Sequence, residues 1–157
     1  KGPLSIRISK DNAWEYESES FEFGKWKEMK KGNDTLILAV GSMAKEVISI
    51  VEELKNKGIT PTIVGVSNIR PLDEKYIEQN FKKYKNIITL EEGRIKSGFG
   101  SFLLEMTNSM NIYKKISRLG IECNFIPHGK RGELLEEFEL RGIPLVNNVE
   151  RCVNAKY

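Results

Sequence analysis

The amino-acid sequence predicts an α/β fold built on a mostly parallel sheet. Two continuous apolar runs, Thr35–Val40 and Thr62–Val66, are typical of strands that are buried on both faces. Segments with the apolar spacing of amphipathic helices follow these runs, and strands that alternate with helices at this spacing indicate parallel pairing. The chain has no internal repeat or low-complexity segment that would point to another architecture.

The first half of the chain contains three predicted strands and two predicted helices. A short strand at residues 25–29 turns through residues 31–34, Lys-Gly-Asn-Asp, where glycine and asparagine tolerate a positive φ. The helix after the first apolar run is predicted to end at Gly58, and Asp73 is predicted to cap the next one. Their apolar stripes are Val47, Ile48, Val51 and Leu54, and then Tyr76, Ile77, Phe81 and Tyr84.

The second half begins with a third apolar strand at residues 87–90, which leads into the glycine-rich segment 91–101. A helix is expected to follow, and a weaker strand is predicted at residues 117–125. Two short helices close the chain, the second of them starting at Pro144. The inward-facing residues predicted for these three helices are Phe102, Leu103, Met106 and Met110, then Leu134, Leu135 and Phe138, then Val149 and Val153.

Length and composition fit one domain, or one domain with an extended arm, and exclude several classes of protein. The net charge of +3, from 25 basic and 22 acidic residues, is too small to indicate a nucleic-acid partner. No apolar run approaches the roughly 18 residues of a membrane span. We therefore expect no nucleic-acid or membrane partner and a cytoplasmic location. Because Lys1 begins the chain inside a strand-like segment, we also expect it to be part of a longer polypeptide.

The segment from Glu91 to Ser101 lies between a strand and a helix, where α/β proteins usually bind their ligands. It lacks the Gly-x-Gly-x-x-Gly spacing of a dinucleotide site, and two carboxylates would repel a phosphate. Glu91 and Glu92 could form a general acid and base pair. Neighbours on a strand point to opposite faces, however, which favours a helix cap or an ion pair for each acid. The glycines are then expected to allow close backbone packing.

His128 is the only histidine, and it lies between Pro127 and Gly129 before a predicted helix. A histidine can act as a general base, but no recognisable serine or cysteine nucleophile accompanies it, which favours a structural hydrogen bond. Cys123 and Cys152 match no metal-binding spacing and are predicted to be small apolar residues in or near the core. The residues therefore predict no catalytic set and no metal site.

Four segments, taken in order, carry a family resemblance. Residues 2–10 read Gly-Pro-Leu-Ser-Ile-Arg-Ile-Ser-Lys, and residues 66–73 end in Pro-Leu-Asp. Residues 91–101 begin Glu-Glu-Gly and end Gly-Phe-Gly-Ser, and residues 125–129 read Phe-Ile-Pro-His-Gly. Together they resemble the C-terminal domain of the 1-deoxy-D-xylulose-5-phosphate synthases, thiamine-diphosphate enzymes of the transketolase group. The Pro-Leu-Asp and Glu-Glu-Gly elements also occur in transketolases and in the β subunits of 2-oxoacid dehydrogenases.

The resemblance implies an architecture and a reaction. It implies a three-layer sandwich on a five-stranded, mostly parallel sheet with one antiparallel edge strand, similar to the transketolase C-terminal domain. Residues 1–32 would be the end of a preceding pyrimidine-binding domain and a linker, and residues 33–157 the C-terminal domain. The full-length enzyme would be a homodimer. It would join pyruvate to glyceraldehyde 3-phosphate, with loss of carbon dioxide, for isoprenoid, thiamine and pyridoxal phosphate synthesis.

The resemblance places the cofactors, thiamine diphosphate and Mg²⁺, in the other domains of the same polypeptide. This domain would then carry no catalytic, cofactor or metal residue and would support the dimer and the domain packing. Lys10 aligns with a family arginine that contacts the aldehyde's phosphate, and Ser97 aligns with a family glycine. The residues expected at an interface or in a structural role are Glu91, Glu92, Gly98, Gly100, His128 and Gly129. A related transketolase-like enzyme and a non-catalytic interaction module are the alternatives.

Overall fold

The computed structural model of the chain describes residues 2, 3, 5, 22–122 and 125–155. Five strands form one sheet in the order β1-β3-β2-β4-β5. The strands are β1 Lys27–Lys30, β2 Thr35–Val40, β3 Thr62–Val66, β4 Asn86–Arg94 and β5 Ile116–Ile121. Strand β1 pairs antiparallel with β3, and the other pairs are parallel. The predicted sheet, with its antiparallel edge strand, is confirmed.

Helices cover both faces of the sheet. They are α1 Met43–Ser49, α2 Val51–Asn56, α3 Glu74–Asn80, α4 Phe99–Ser109, α5 Arg131–Glu137 and α6 Gly142–Asn154, with a 3₁₀ turn at Phe81–Lys83 after α3. Helices α1, α2, α5 and α6 pack on one face of the sheet, here called the α1 face, and α3 and α4 pack on the other, the α3 face. The three-layer arrangement is therefore present. No helix within residues 22–122 and 125–155 is long and apolar enough to cross a membrane.

The central strand β2 shows why the sheet has two cores. Its successive side chains point to opposite faces, as strand geometry requires. Ile37 and Ala39 lie in the cluster under the α1 face, whereas Leu36 and Leu38 lie in the cluster under the α3 face. All four are fully buried. Because this strand is buried on both faces, every residue of it is apolar or small, which produces the unbroken apolar run in the sequence.

Two helices differ from their predicted form. The single helix expected between Gly41 and Gly58 is two helices, which meet at the buried Ile50. Gly58 follows the second of them with a positive φ of 74°, as expected of a terminating glycine. The last helix begins at Gly142, two residues before Pro144, and spans 13 residues. Proline lacks an N–H donor and is tolerated in a first turn, so it did not mark the start.

Strand β4 is longer than predicted. The apolar run ends at Leu90, but the strand continues to Arg94, and Arg94 pairs with Ile121 of β5. The register shifts between Leu90 and Arg94, as it does at a β-bulge. Glu91 and Glu92 are therefore strand residues. Strand β5 in turn ends at Ile121 instead of residue 125, and β1 starts at Lys27 instead of residue 25.

Candidate functional site

The candidate site lies at the carboxyl edge of the sheet, where the parallel strands β2, β3, β4 and β5 end. Strand β3 lies on one side of β2 and β4 lies on the other. The connection after β2 therefore leads to one side of the sheet and the connection after β3 leads to the other, which makes the gap between β2 and β4 a topological switch point. Ligands of open α/β sheets bind in the crevice at such a switch point. Ser42 follows β2 there, and Glu91 and Glu92 lie near the end of β4.

Glu91 points to the α3 face, where its carboxylate caps helix α4. Its Oε2 accepts a hydrogen bond from the backbone N–H of Phe99 at 2.8 Å, and its Oε1 accepts one from that of Gly100 at 2.9 Å. Only 6% of Glu91 is exposed. A carboxylate that accepts two N–H groups at a helix N-terminus is stabilised by charge-assisted bonding and by the helix dipole. This acid is therefore committed to the fold of its own domain.

Two glycines let α4 start directly against β4. A Cβ on Gly98 would collide with the carbonyl oxygen of Arg94 and with the Glu91 carboxylate. A Cβ on Gly100 would lie 2.5 Å from Thr89 Oγ1 and 2.8 Å from Cγ of Arg118. Because only a residue without a Cβ fits either position, these glycines serve close packing inside the domain. The interface role predicted for them remains a prediction.

The turn between β4 and α4 is held by side chains. Ser101 donates its hydroxyl to the carbonyl of Ile95 at 2.7 Å. Arg118 of β5 donates to Ser101 Oγ at 2.6 Å and to the same carbonyl at 3.2 Å. Sequence reasoning missed Arg118, because an isolated arginine in a weak strand carries no local signal of its partner.

Glu92 points to the α1 face and binds Arg131, the first residue of α5. Nε of Arg131 lies 2.9 Å from both carboxylate oxygens, and its Nη2 lies 2.6 Å from Oε2. The same Nη2 donates to Ser42 Oγ at 3.0 Å. Glu91 and Glu92 therefore serve opposite faces and do not share a site.

A buried carboxylate completes this charged group. Glu46 of α1 is 6% exposed and lies between two guanidinium groups, with Nη1 of Arg131 at 3.8 Å and Nε of Arg141 at 3.4 Å. Ser42, Glu46, Glu92, Arg131 and Arg141 are called the charged cluster below. The sequence did not indicate Glu46 or Arg141, because helix-surface charges of this kind are ordinary and their pairing is long-range.

Asp73 ties the segment before β1 to the Pro-Leu-Asp element. Its Oδ1 accepts from the N–H of Tyr76 at 3.0 Å, which is the predicted N-cap of α3. Its Oδ2 accepts from the N–H of Trp26 at 3.0 Å, and the Trp26 indole donates to the carbonyl of Asn68 at 3.0 Å. Asp73 therefore has a second structural role that sequence reasoning did not find.

The remaining predicted residues lie apart from this geometry. His128 and Gly129 are exposed in the loop before α5, and a Cβ on Gly129 would lie 3.2 Å from Leu134. Lys10 and Cys123 lie outside the described residues. Cys152 is half-buried in α6, and burial raises the pKa of its thiol. The structure therefore brings Glu91, Gly98 and Gly100 together and leaves His128 in a separate loop.

The donor set at the carboxyl edge does not fit thiamine diphosphate and its metal. Among the described residues, no group of three or more His, Cys, Asp or Glu side chains could hold a metal ion. Both carboxylate oxygens of Glu91 accept backbone N–H groups, and Glu92 is held by Arg131. A diphosphate would also meet these two acids. What the arrangement does is fix α4 and α5 to the edge of the sheet.

Comparison with known proteins identifies the family. The model of the transketolase C-terminal domain matches residues 24–142. The chain belongs to the transketolase C-terminal domain family. The matched range starts before β1 and ends at the first residue of α6, so it includes the whole sheet of this transketolase C-terminal domain.

Similar curated proteins share one name. The domain is 41% identical over 153 residues to 1-deoxy-D-xylulose-5-phosphate synthase of Fusobacterium nucleatum, covering 97% of this chain and 26% of that protein. It is 33% identical over 141 residues to the synthase of Cytophaga hutchinsonii, covering 87% and 22%. The chain thus spans about a quarter of the length of these relatives.

Solved structures show the same fold. A split-gene transketolase, in an inactive β4 tetramer, matches with a TM-score of 0.76 and 23% identity over 87% of this chain and 45% of that one. Transketolase of Campylobacter jejuni matches with a TM-score of 0.57 and 21% identity over 81% of this chain and 18% of that one. At these identities the likeness concerns the fold alone.

Proposed function

We propose that this chain is the C-terminal domain of a 1-deoxy-D-xylulose-5-phosphate synthase. The observation that carries the proposal is the 41% identity to such a synthase along 97% of the chain. The four sequence segments that resemble the synthases span the same length, and the Phe-Ile-x-His-Gly element at residues 125–129 favours them over transketolase. The full-length enzyme then joins pyruvate to glyceraldehyde 3-phosphate and releases carbon dioxide.

In this proposal the domain supports other parts of the enzyme and performs no chemical step alone. Thiamine diphosphate and Mg²⁺ are bound by the other domains of the same polypeptide, and the enzyme acts as a cytoplasmic homodimer that supplies isoprenoid precursors. The engagement of Glu91 and Glu92 within the domain supports this division of labour. Residues 1–32 comprise the end of the preceding pyrimidine-binding domain and a linker, and the last part of this linker packs on the C-terminal domain, since β1 is hydrogen-bonded to its sheet.

Lys10 is the one residue of this chain that we propose to contact the substrate. It aligns with the family arginine near the aldehyde's phosphate. Lysine keeps the positive charge but offers no bidentate fork, so it suits a phosphate as a point charge. Replacing Lys10 by Ala should raise KM for glyceraldehyde 3-phosphate, whereas Lys10→Arg should preserve it, and KM for pyruvate should stay unchanged in both.

The activity test uses the longer polypeptide that contains this chain. Incubation with pyruvate, glyceraldehyde 3-phosphate, thiamine diphosphate and Mg²⁺ should yield 1-deoxy-D-xylulose 5-phosphate and an equal amount of carbon dioxide, measured by mass spectrometry. The 157-residue chain alone serves as the control and should give neither product. Turnover of a ketose phosphate donor without release of carbon dioxide would instead indicate a transketolase.

A further inference from the structure

Exposed apolar side chains are concentrated on one side of the domain. Among the described residues, six large hydrophobic side chains are exposed: Phe23 69%, Ile69 41%, Tyr113 77%, Phe125 95%, Ile126 43% and Ile143 59%. Five of them lie at or beside the carboxyl edge of the sheet, as the following contacts show. Only Tyr113, which precedes β5, lies at the amino edge among these six. A one-sided distribution of exposed apolar side chains favours an interaction surface on that side of the domain.

Phe23 and Ile69 lie together at the β1 and β3 end of this edge. Strand β1 runs antiparallel to β3, so the residues before β1 lie next to those that follow β3. Gly24 donates its N–H to Asn68 Oδ1 at 3.2 Å, which holds Phe23 beside the loop that contains Ile69. In the same loop the Arg70 guanidinium lies 4.5 Å from the centre of the Phe102 ring.

Phe125 and Ile126 lie at the opposite end of the edge, after β5. They belong to the loop that enters α5, and the first residue of α5, Arg131, binds Glu92 at the carboxyl end of β4. Ile143 stands in the first turn of α6, beside Arg141, which pairs with Glu46 in the first turn of α1. Five strands spaced about 4.8 Å apart give the edge a width of roughly 20 Å, enough for a domain interface.

The polypeptide also enters the described domain at this edge. Glu22 immediately precedes Phe23, so the chain enters the described range 22–122 at the carboxyl edge. The end of α6 is at the other side, since Lys115, just before β5, donates to the carbonyl of Ala155 at 3.0 Å. The synthase relatives are about four times as long as the aligned part, which covers 26% of the Fusobacterium protein.

We infer that the carboxyl edge is the surface on which this domain docks against the upstream domain of its own polypeptide, through Phe23 and Ile69 at one end and Phe125 and Ile126 at the other. The charged cluster is neutralised internally by its own ion pairs, and it holds α5 and α6 against α1 and β4 on the side of the edge that carries Phe125 and Ile126. The surface of the upstream domain that would fit this carboxyl edge is apolar at both ends and uncharged opposite Glu92 and Arg131. This inference rests on the proposed function in requiring a longer polypeptide.

Hydroxyl-radical footprinting of the longer polypeptide tests the docking directly. The modification rates of Phe23, Phe125 and Tyr113 are measured in the native protein and divided by their rates in the same protein unfolded in denaturant. Tyr113 is the internal control, because it is exposed at the amino edge. Phe23 and Phe125 should be protected about fivefold or more relative to Tyr113, since interface residues lose most of their accessible area.

A charge-introducing variant provides the second measurement. Phe125→Lys together with Ile126→Lys should increase the modification of Phe23, whereas Tyr113→Lys should leave it protected. All three side chains are exposed in the domain itself, so these changes do not disturb its core. Should the double variant fail to fold, the comparison of Phe125 with Tyr113 in the wild-type protein decides the question.

The outcomes separate the inference from the proposed function. Equal modification of Phe125 and Tyr113 in a protein that synthesises 1-deoxy-D-xylulose 5-phosphate overturns the docking surface and leaves the function in place. Protection of Phe125 in a protein without that activity supports the surface and overturns the function. Protection that disappears on dilution to the monomer shows that the occupant is a second copy, and a gene without upstream domains overturns both proposals.

Discussion

At the scale of single residues, Glu91 replaces the usual cap of a helix. The residue before α4 is Gly98, which has no side chain to accept the free N–H groups of the first turn. Glu91 reaches them from the neighbouring strand, eight residues before Phe99 in sequence. A single carboxylate thus joins β4 to α4 and satisfies two buried donors.

Removal of this carboxylate should destabilise the domain measurably. Glu91→Ala leaves the N–H groups of Phe99 and Gly100 buried without an acceptor, and we expect a loss of about 2–3 kcal/mol in the free energy of unfolding. Urea denaturation of the 157-residue chain measures it. Glu105→Ala, at an exposed position of α4, is the matched control and should change stability by less than about 0.5 kcal/mol. Equal urea midpoints for Glu91→Ala and Glu105→Ala would refute the capping role of Glu91.

Ser97 adopts a backbone conformation that favours glycine. Its φ is +69°, in the left-handed region that glycine adopts at little cost. Ser97→Gly should stabilise the chain by about 0.5–1 kcal/mol, because relief of left-handed strain exceeds the added flexibility of the unfolded chain. Ser109→Gly, in the last turn of α4, should destabilise it by a similar amount. A higher melting temperature for Ser97→Gly and a lower one for Ser109→Gly would support this account. A lower melting temperature in both variants would contradict it.

The Tyr76 hydroxyl should make the domain sensitive to alkali. Burial, with smaller contributions from Tyr84, Glu28 and Asp73, raises the pKa of Tyr76 far above its usual range. Above about pH 10 the unfolded chain loses this proton while the folded chain keeps it, so stability falls as the pH rises.

Tyr76→Phe should therefore reduce the decline in stability between about pH 9 and 11. The measurement is the midpoint of urea unfolding at each pH. The Tyr76 hydroxyl makes no hydrogen bond of ordinary geometry with a described residue, so the change should cost little at neutral pH. Tyr113→Phe, at an exposed position, is the control and should leave the decline unchanged. A slope unaffected by Tyr76→Phe would assign the alkaline loss to other groups.

At the scale of elements, the contact between β4 and α4 depends on the absence of a side chain at Gly100. Alanine has the higher helix propensity by about 1 kcal/mol, which alone would stabilise α4. A Cβ at this position would however lie 2.5 Å from Thr89 Oγ1 and 2.8 Å from Cγ of Arg118, inside the sheet–helix interface. The packing term is the larger, because the Thr89 side chain is fully buried and the Arg118 side chain is held by hydrogen bonds to Ser101 and Ile95, so neither can readily move aside.

Gly100→Ala should therefore lower the free energy of unfolding by about 1–3 kcal/mol. Thr89→Ala removes the nearest colliding atom, so the double variant should be less destabilised than the sum of the two single changes, by about 0.5 kcal/mol or more. Urea unfolding of the four proteins gives this coupling. Strict additivity would show that α4 relaxes away from β4 without meeting Thr89.

At the scale of the whole molecule, neither acid at the carboxyl end of β4 is free for cofactor chemistry. Glu91 is bound by helix α4 and Glu92 by Arg131, so each acid already has its partners. The edge that binds ligands in other open α/β sheets is here used to fix helices and to expose apolar side chains.

Calorimetry with the 157-residue chain should accordingly detect no binding of thiamine diphosphate with Mg²⁺. The two acids would repel the diphosphate, and their oxygens are not available to a metal without breaking the cap of α4 or the pair with Arg131. The longer polypeptide, under the same conditions, is the positive control. A micromolar dissociation constant for the 157-residue chain would contradict this assignment of the cofactor to other domains.

Local sequence determined strands β2 and β3 and the N-cap of α3. The runs Thr35–Val40 and Thr62–Val66 were predicted with their observed bounds, because a strand buried on both faces must be apolar throughout. Asp73 was predicted as an N-cap, because that role depends only on a short side chain three residues before a backbone N–H. Each of these signals is contained within a few neighbouring residues.

Tertiary structure alone decided how β4 ends and what its acids bind. Residues 91–94 contain no apolar side chain, and the strand extends over them because Arg94 pairs with Ile121 of β5. Glu92 and Arg131 are 39 residues apart, and Glu46 meets Arg141 only after α1 and α6 have packed on the same face. Nothing in the sequence near these residues encodes such pairings. They depend on the distance between groups in the folded chain, which the packing of two hydrophobic cores sets.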